Sequence, residues 1–150
     1  MQRLDYKDTA PEVFSAMLKL ESAVHGMALE APLLELVKTR ASQINGCAYC
    51  IDMHTKDALG AGEDARRLFL LDAWREAPIY SPRERAALAW TEAVTRVHDD
   101  GVPDAVYEEA RRHFDERELV RLTLAVVAIN GWNRLSVAFR IAPTYERRTK

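Results

Sequence analysis

The amino-acid sequence predicts an all-α protein. Apolar residues recur at the spacing of amphipathic helices in nearly every segment, as Val13, Met17 and Leu20 do. No stretch shows the alternation of β-branched and polar residues that is typical of a strand. Glycine and proline interrupt the helical pattern at short intervals. We therefore expect a bundle of about six to eight helices.

Turn-forming residues mark the ends of the first helices. Pro11 suits the first turn of a helix, where its missing amide hydrogen has no partner to lose, and Gly26 follows the end of the same segment. The pair Asn45 and Gly46 tolerates positive φ and so turns the chain after the second helix. Gly60 ends the third helix. These signals predict helices at residues 10–23, 31–44, 47–59 and 63–74.

Two capping-box patterns mark the starts of later helices. In the segment from Ser81 to Glu84, the serine hydroxyl can accept from the Glu84 amide while the glutamate reaches back. Asp115 to Glu118 repeats the pattern before an apolar stretch. The sequence thus predicts helices at residues 82–99 and 103–114, and a further helix through 119–129. The basic tail at residues 147–150 is predicted to lie at the surface.

Composition is that of an ordinary globular protein. The chain has 150 residues, 48% of them hydrophobic and 29% charged, which suits one domain over residues 1–150. Its formal net charge is -2, so no strong field favours nucleic acid or an anionic membrane. Charges near the N-terminus exclude a signal peptide, and no long uncharged apolar run follows. We expect a cytoplasmic protein.

The two cysteines lie close together in the sequence. Cys47 and Cys50 are three residues apart and cannot join distant parts of a fold as structural disulfides do, so chemistry or metal binding is the better interpretation. Residues at i, i+3 and i+7 share a helix face, which places His54 in the same column. These three side chains are therefore expected to lie together.

Glu35 belongs to the preceding helix but is expected to reach the same level. A tight turn at residues 45–46 makes the two helices antiparallel and brings Glu35 beside about position 56. At 1.5 Å of rise per residue, Glu35 then lies within about 3 Å of the level of His54 along the helix axis. The sequence therefore predicts a glutamate–histidine hydrogen bond, direct or through one water.

These residue types suit thiol chemistry. A thiolate is the nucleophile in peroxide reduction and in disulfide exchange. Cys47 lies at a predicted helix N-terminus, where amides and the helix dipole favour an anion, and His54 can accept or relay the proton of Cys50. A sulfenic acid formed on one sulfur can be trapped as a disulfide by the other, because residues three apart on a helix satisfy disulfide spacing.

The pattern Glu35-x11-Cys47-x-Tyr49-Cys50-x3-His54 resembles the core of the AhpD-like alkylhydroperoxidase and carboxymuconolactone decarboxylase superfamily. The resemblance implies an AhpD-like bundle with the cysteines at the start of a central helix, and an antioxidant peroxiredoxin-type oxidoreductase. By the same resemblance, Cys50 forms the sulfenic acid, Cys47 is the resolving thiol and proton donor, and Glu35 with His54 relays protons. Tyr49 is a secondary site residue, in the place of a histidine in the founding peroxidases.

The resemblance also implies the partners. A hydroperoxide is the expected substrate, an external dithiol or thiol protein the reductant, and no bound cofactor is required. A homo-oligomer, trimer or hexamer, is expected.

Other interpretations remain open at this level. Cys47, Cys50 and His54 are zinc-type ligands, so a structural metal site is an alternative. Its fourth ligand would be Glu35, His25, His98 or His113. The cysteines can also be small buried residues of a catalytically silent scaffold, or their disulfide can act as a redox sensor.

An internal repeat is a further possibility. Residues 35–38 and 44–47 resemble residues 118–121 and 129–132, although two residues must be inserted between the matching parts. Duplication and coincidence are about equally compatible with this match. A second copy would be structural only, with Trp132, Leu135 and Phe139 in place of the two cysteines and the histidine.

Overall fold

The computed structural model describes residues 1–144 and contains no strand among them, so the all-α prediction is confirmed. The predicted surface tail at residues 147–150 lies outside the described residues. In chain order the described α-helices are α1 (Tyr6–Thr9), α2 (Pro11–His25), α3 (Ala31–Asn45), α4 (Ala48–Gly60), α5 (Ala65–Phe69), α6 (Pro82–Thr95), α7 (Val97–Asp100), α8 (Asp104–His113) and α9 (Glu116–Phe139), with a 3₁₀ helix at Leu71–Ala73.

The hairpin of α3 and α4 follows the predicted turn. Gly46 caps α3 with φ of 65°, a left-handed conformation that glycine adopts without strain. Its amide donates to the carbonyl of Gln43, and the Cys47 amide donates to that of Ser42. Cys47 is then the N-cap of α4. The turn therefore places Cys47 at the positive end of a helix.

Three local differences from the prediction have structural causes. The predicted helix at 63–74 breaks after Phe69, and the 3₁₀ turn that follows brings Leu71 and Trp74 onto one side, where both are buried. The helix predicted at 82–99 ends at Thr95, because Arg96 leaves the helical conformation. The one-turn helix α1 was not predicted. Its four residues are too few to show a period.

Helix α9 runs through the second Asn–Gly pair without turning. Both predicted capping boxes form, and the one at Asp115 and Glu118 starts a helix of 24 residues that includes Asn130 and Gly131. A Cβ on Gly131 would lie 3.0 Å from the Cε atom of Met17, so glycine here allows α2 to pack closely. The similarity between residues 44–47 and 129–132 therefore does not extend to the backbone: one pair ends a helix and the other lies inside one.

Helix α9 is the centre of the bundle. It packs against α2, α3, α4, α6 and α8, and Leu122, Ala125 and Ile129 on it are fully buried. By length and composition α9 alone, among the described helices, would also be able to cross a membrane. Its buried side is instead occupied by the other helices of the bundle.

A buried polar network holds α3 against α6. The Arg40 Nε atom donates to Glu92 Oε1 at 2.8 Å, and the Trp74 indole donates to the same oxygen at 2.8 Å. Arg75 donates to the other Glu92 oxygen at 2.6 Å. Because these buried charges are paired and hydrogen-bonded, they orient α3 against α6. This fixes the helix that carries Glu35.

Candidate active site

The two cysteines are reduced and almost completely buried. Cys47 is 2% exposed and Cys50 1% exposed, and their sulfur atoms lie 2.8 Å apart. They pack with Ala41 of α3 and Ile129 of α9. Neither sulfur meets bulk solvent, so any oxidant must reach the pair through a cavity.

Glu35 and His54 form the contact that the hairpin register predicts. Glu35 Oε2 lies 2.9 Å from His54 Nδ1, with His54 buried and Glu35 half-buried. This bond leaves the other ring nitrogen, Nε2, available for proton exchange. Asp57, one turn further along α4, has a carboxylate oxygen within 4.8 Å of both groups.

The two thiols have opposite acidities. The pKa of Cys47 is lowered to about 6, chiefly because its sulfur accepts a hydrogen bond from the Cys50 thiol, and this outweighs the opposing effect of burial. The pKa of Cys50 is raised far above its ordinary value, first by donating that hydrogen bond, then by burial and by the charge of Cys47. At neutral pH the pair therefore holds a thiolate on Cys47 and a proton on Cys50.

This asymmetry changes one sequence-based expectation. The sequence predicts a separate group that promotes the deprotonation of each thiol: the helix N-terminus for Cys47 and His54 for Cys50. Although the two residues are one turn apart on α4, no hydrogen bond joins them in the part of the chain that the structure describes. Cys47 is the stronger acid, as its helix N-terminus predicts.

Helix α9 adds two buried polar residues that were not among the predicted site residues. Ser136 Oγ lies 3.9 Å from Cys50 Sγ. Asn133 donates to Ser42 at 3.0 Å and accepts from Asn45 at 2.8 Å. Both side chains lower the pKa of Cys47. Neither residue belongs to the pattern from Glu35 to His54, and no spacing in the sequence points to Ser136.

A cavity of about 300 Å³ opens onto Cys50. The cavity wall includes Cys50, His54 and Glu35 but not Cys47. Most of the wall is apolar or aromatic, formed by Tyr6, Phe14, Leu18, Tyr49, Met53 and Trp132. A small organic molecule in this cavity would therefore lie beside Cys50 and not beside Cys47.

A buried ion pair forms another part of the wall. Lys38, 1% exposed, is paired with Glu21, whose second oxygen accepts from the Trp132 indole at 3.1 Å. His25 Nε2 lies 3.1 Å from Glu21 as well. Trp132 thus lines the cavity as well.

The structure does not assemble the alternative zinc site. Within residues 1–144, the group of possible metal ligands that converges is Glu35, His54 and Asp57, without either sulfur. His98 pairs with Asp99, and His113 with Glu109. The four ligands that the sequence allowed for zinc are therefore not brought together.

Comparison with known proteins identifies the family. The model of the carboxymuconolactone decarboxylase family matches residues 11–93, which cover α2 to α6 and contain the glutamate, both cysteines and the histidine. The chain belongs to this family. Its recognition from the Glu–Cys–Cys–His pattern is confirmed.

Two proteins that match this chain over most of their own length support the assignment. YdfG of Bacillus subtilis, whose function is uncharacterized, is 44% identical over 91% of this chain and 93% of its own. A structure from Agrobacterium tumefaciens, of unknown function and related by name to the antioxidant defence protein AhpD, has a TM-score of 0.95. It is 42% identical and covers 97% of this chain and 100% of its own.

A second solved structure shows that the fold also occurs in proteins of low sequence identity. The debrominase Bmp8 has a TM-score of 0.80 at 18% identity, over 93% of this chain and 74% of its own. At this identity the likeness concerns the fold alone. The family name and the fold therefore do not by themselves specify a reaction.

Proposed function

We propose that this protein is a thiol-dependent oxidoreductase that reduces organic hydroperoxides. One observation carries the proposal: a reduced cysteine pair, one member acidic at a helix N-terminus, meets an apolar cavity beside a histidine–glutamate pair. Membership of a family with AhpD-like members supports it. The residues proposed to carry out the reaction are Cys50, Cys47, His54 and Glu35.

Access and acidity assign different roles to the two sulfurs. Cys50 lines the cavity and is the one that a hydroperoxide can reach, but it carries the proton. Cys47 is the thiolate but lies behind it. Because the sulfurs are 2.8 Å apart, the proton of Cys50 can pass to Cys47 and create the reactive thiolate where the substrate binds.

The proposed reaction has two steps, formation of a sulfenic acid and formation of a disulfide. The Cys50 thiolate attacks the distal peroxide oxygen, the O–O bond breaks, and an alcohol leaves once its oxygen is protonated. Cys50 is now a sulfenic acid. Cys47 attacks that sulfur, displaces the hydroxyl group as water with the aid of one proton, and closes the Cys47–Cys50 disulfide. An external dithiol or thiol protein returns the pair to the reduced state.

His54 and Glu35 exchange protons between the sulfur pair and solvent. Both line the cavity with Cys50, and the bond from Nδ1 to Glu35 fixes the ring. A cavity water can complete the path from Nε2 to the sulfurs. Tyr49 borders the same space as a secondary residue.

The expected assembly is a cytoplasmic homo-oligomer. Helix α9 presents Val120 and Val127 to solvent, 69% and 50% exposed, beside a groove formed with Met27 and Leu124. Burial of such apolar surface by a second copy would stabilise a trimer or hexamer.

Single-turnover oxidation tests the proposed function. Fully reduced protein is mixed with one equivalent of cumene hydroperoxide, and we expect loss of two thiols, formation of one equivalent of alcohol, and a mapped Cys47–Cys50 disulfide. Retention of both thiols while other thiol proteins are oxidised would exclude the peroxidase. Repeated turnover with a dithiol separates an enzyme from a redox sensor, which is oxidised once and consumes little further peroxide.

The rate of oxidation is expected to fall as the pH drops through about 6. The pKa of Cys47 is lowered to that value, so above it the pair retains a thiolate and below it both sulfurs carry protons. Ultraviolet thiolate absorbance and stopped-flow oxidation should show the same midpoint. In Cys47→Ser the absorbance step near pH 6 should vanish. A wild-type midpoint at the ordinary thiol value, about 8.5, would contradict this assignment.

A further inference from the structure

Hydroperoxide reduction requires a proton donor on the far side of the substrate from the sulfur. The attacking sulfur and the two peroxide oxygens align, so the leaving oxygen points away from Cys50 into the cavity. Cys47 lies 2.8 Å from Cys50 and does not line the cavity. Cys47 is therefore not placed to donate a proton to an oxygen inside the cavity.

Tyr6 borders the space that the leaving oxygen would enter. It lies on α1, is 4% exposed, and lines the cavity together with Cys50 and Ser136. Its ring packs between Phe14 and Phe139, with centroid distances of 6.3 and 6.0 Å. This packing restricts the ring and so limits where its hydroxyl can point.

The N-terminal segment that carries Tyr6 is attached to the end of α9. The Arg3 amide donates to the Phe139 carbonyl at 3.0 Å, and the Arg3 guanidinium donates to the Ala138 carbonyl at 3.0 Å. The Asp5 side chain caps α1 by accepting from the Lys7 amide. The segment is thus held over the cavity by contacts that do not involve the hydroxyl of Tyr6.

The phenol of Tyr6 keeps its proton at neutral pH. Burial raises its pKa and the neighbouring Tyr49 adds to the rise, while the Ser136 hydroxyl opposes it. An alkoxide is far more basic than a phenolate, so proton transfer to a leaving alkoxide is favourable. Among the other donors of the cavity wall, His54 serves proton exchange with the sulfur pair, and Lys38 is paired with Glu21.

We propose that Tyr6 donates the proton that the leaving alkoxide takes up when Cys50 attacks a hydroperoxide. The inference rests on the proposed function. As the S–O bond forms and the O–O bond breaks, the electron pair of that bond goes to the leaving oxygen, which accepts the phenolic proton and departs as an alcohol. The phenolate then regains a proton from solvent.

Oxidants with different leaving groups test this role. Tyr6→Phe keeps the ring and removes only the hydroxyl. With cumene hydroperoxide, whose alkoxide must be protonated, we expect single-turnover oxidation of Cys50 to slow by about 100-fold. With perbenzoic acid, whose carboxylate leaves without a proton, the rate should change by less than about twofold. A structural defect would slow both oxidants alike.

Two further tyrosine variants complete the design. Tyr107 is 42% exposed on α8 and contributes nothing to the cavity, so Tyr107→Phe should match the wild type with both oxidants. Tyr49→Phe tests the other tyrosine of the cavity. If Tyr49→Phe shows the leaving-group selectivity and Tyr6→Phe does not, the assignment to Tyr6 is overturned.

The wild-type reaction separates this inference from the proposed function. Failure of the wild type to react with either oxidant overturns both. Rapid wild-type oxidation, with Tyr6→Phe equally fast on cumene hydroperoxide or equally slowed on both oxidants, overturns only the role of Tyr6. Equal thermal unfolding temperatures of the wild type and Tyr6→Phe would show that the variant is folded.

Discussion

Replacement of Cys50 by serine is expected to abolish hydroperoxide consumption, with a loss of about 1,000-fold or more, as when a nucleophile is removed from an enzyme. Cys50 lines the cavity, whereas Cys47 does not, although Cys47 is the stronger acid. A serine hydroxyl is not ionised at neutral pH and does not form a sulfenic acid. The measurement is single-turnover consumption of cumene hydroperoxide by reduced protein.

Cys47→Ser is the matched variant and should behave differently. The hydrogen bond to Cys47 is the largest cause of the raised pKa of Cys50, and the charge of Cys47 adds to it. Without that thiolate, the pKa of Cys50 should fall back towards its ordinary value. We expect one oxidation to a sulfenic acid on Cys50, which a nucleophilic probe and mass spectrometry would detect. A sulfenic acid on Cys47 in Cys50→Ser, formed at the wild-type rate, would reverse the two roles.

Replacement of His54 by glutamine is expected to slow single-turnover oxidation by about 100-fold, within the usual range for loss of an acid–base group. Glutamine can still donate to Glu35, so the 2.9 Å contact across the hairpin can be kept while the proton-exchanging ring is lost. Stopped-flow oxidation at pH 7 measures the change. His98→Gln is the matched control, because His98 is exposed and, within residues 1–144, pairs only with Asp99.

Glu35 should act through His54 and not independently of it. Glu35→Gln is therefore expected to slow oxidation less than His54→Gln, and the double variant should be no slower than His54→Gln alone. Additive losses would show that the two residues contribute separately. Wild-type rates in His54→Gln would remove the histidine from the mechanism.

The fold class and the core of the candidate site were predictable because the signals for them are local. Helical periodicity, two capping boxes and the turn at Gly46 involve residues at most a few positions apart. The turn also sets the register of α3 against α4, so the Glu35–His54 contact across 19 residues follows from helix geometry alone.

The rest of the site depends on contacts between distant parts of the chain. Ser136 reaches Cys50 across 86 residues, and Tyr6 comes from a single helical turn at the other end of the sequence. No period or spacing relates such residues, because their proximity arises from the packing of α9 and α1 on the hairpin. The same packing decides which sulfur faces the cavity.

By itself, the sequence determined the helical class, the family pattern and the pairing of Glu35 with His54, since each depends on short-range geometry. The helix N-terminus already favoured Cys47 as the more acidic thiol, but tertiary structure alone decided that Cys50 and not Cys47 lines the cavity. The physical reason is that the surroundings of a buried sulfur depend on every group packed around it, including groups distant in the chain. Those groups come from α1, α4 and α9 together.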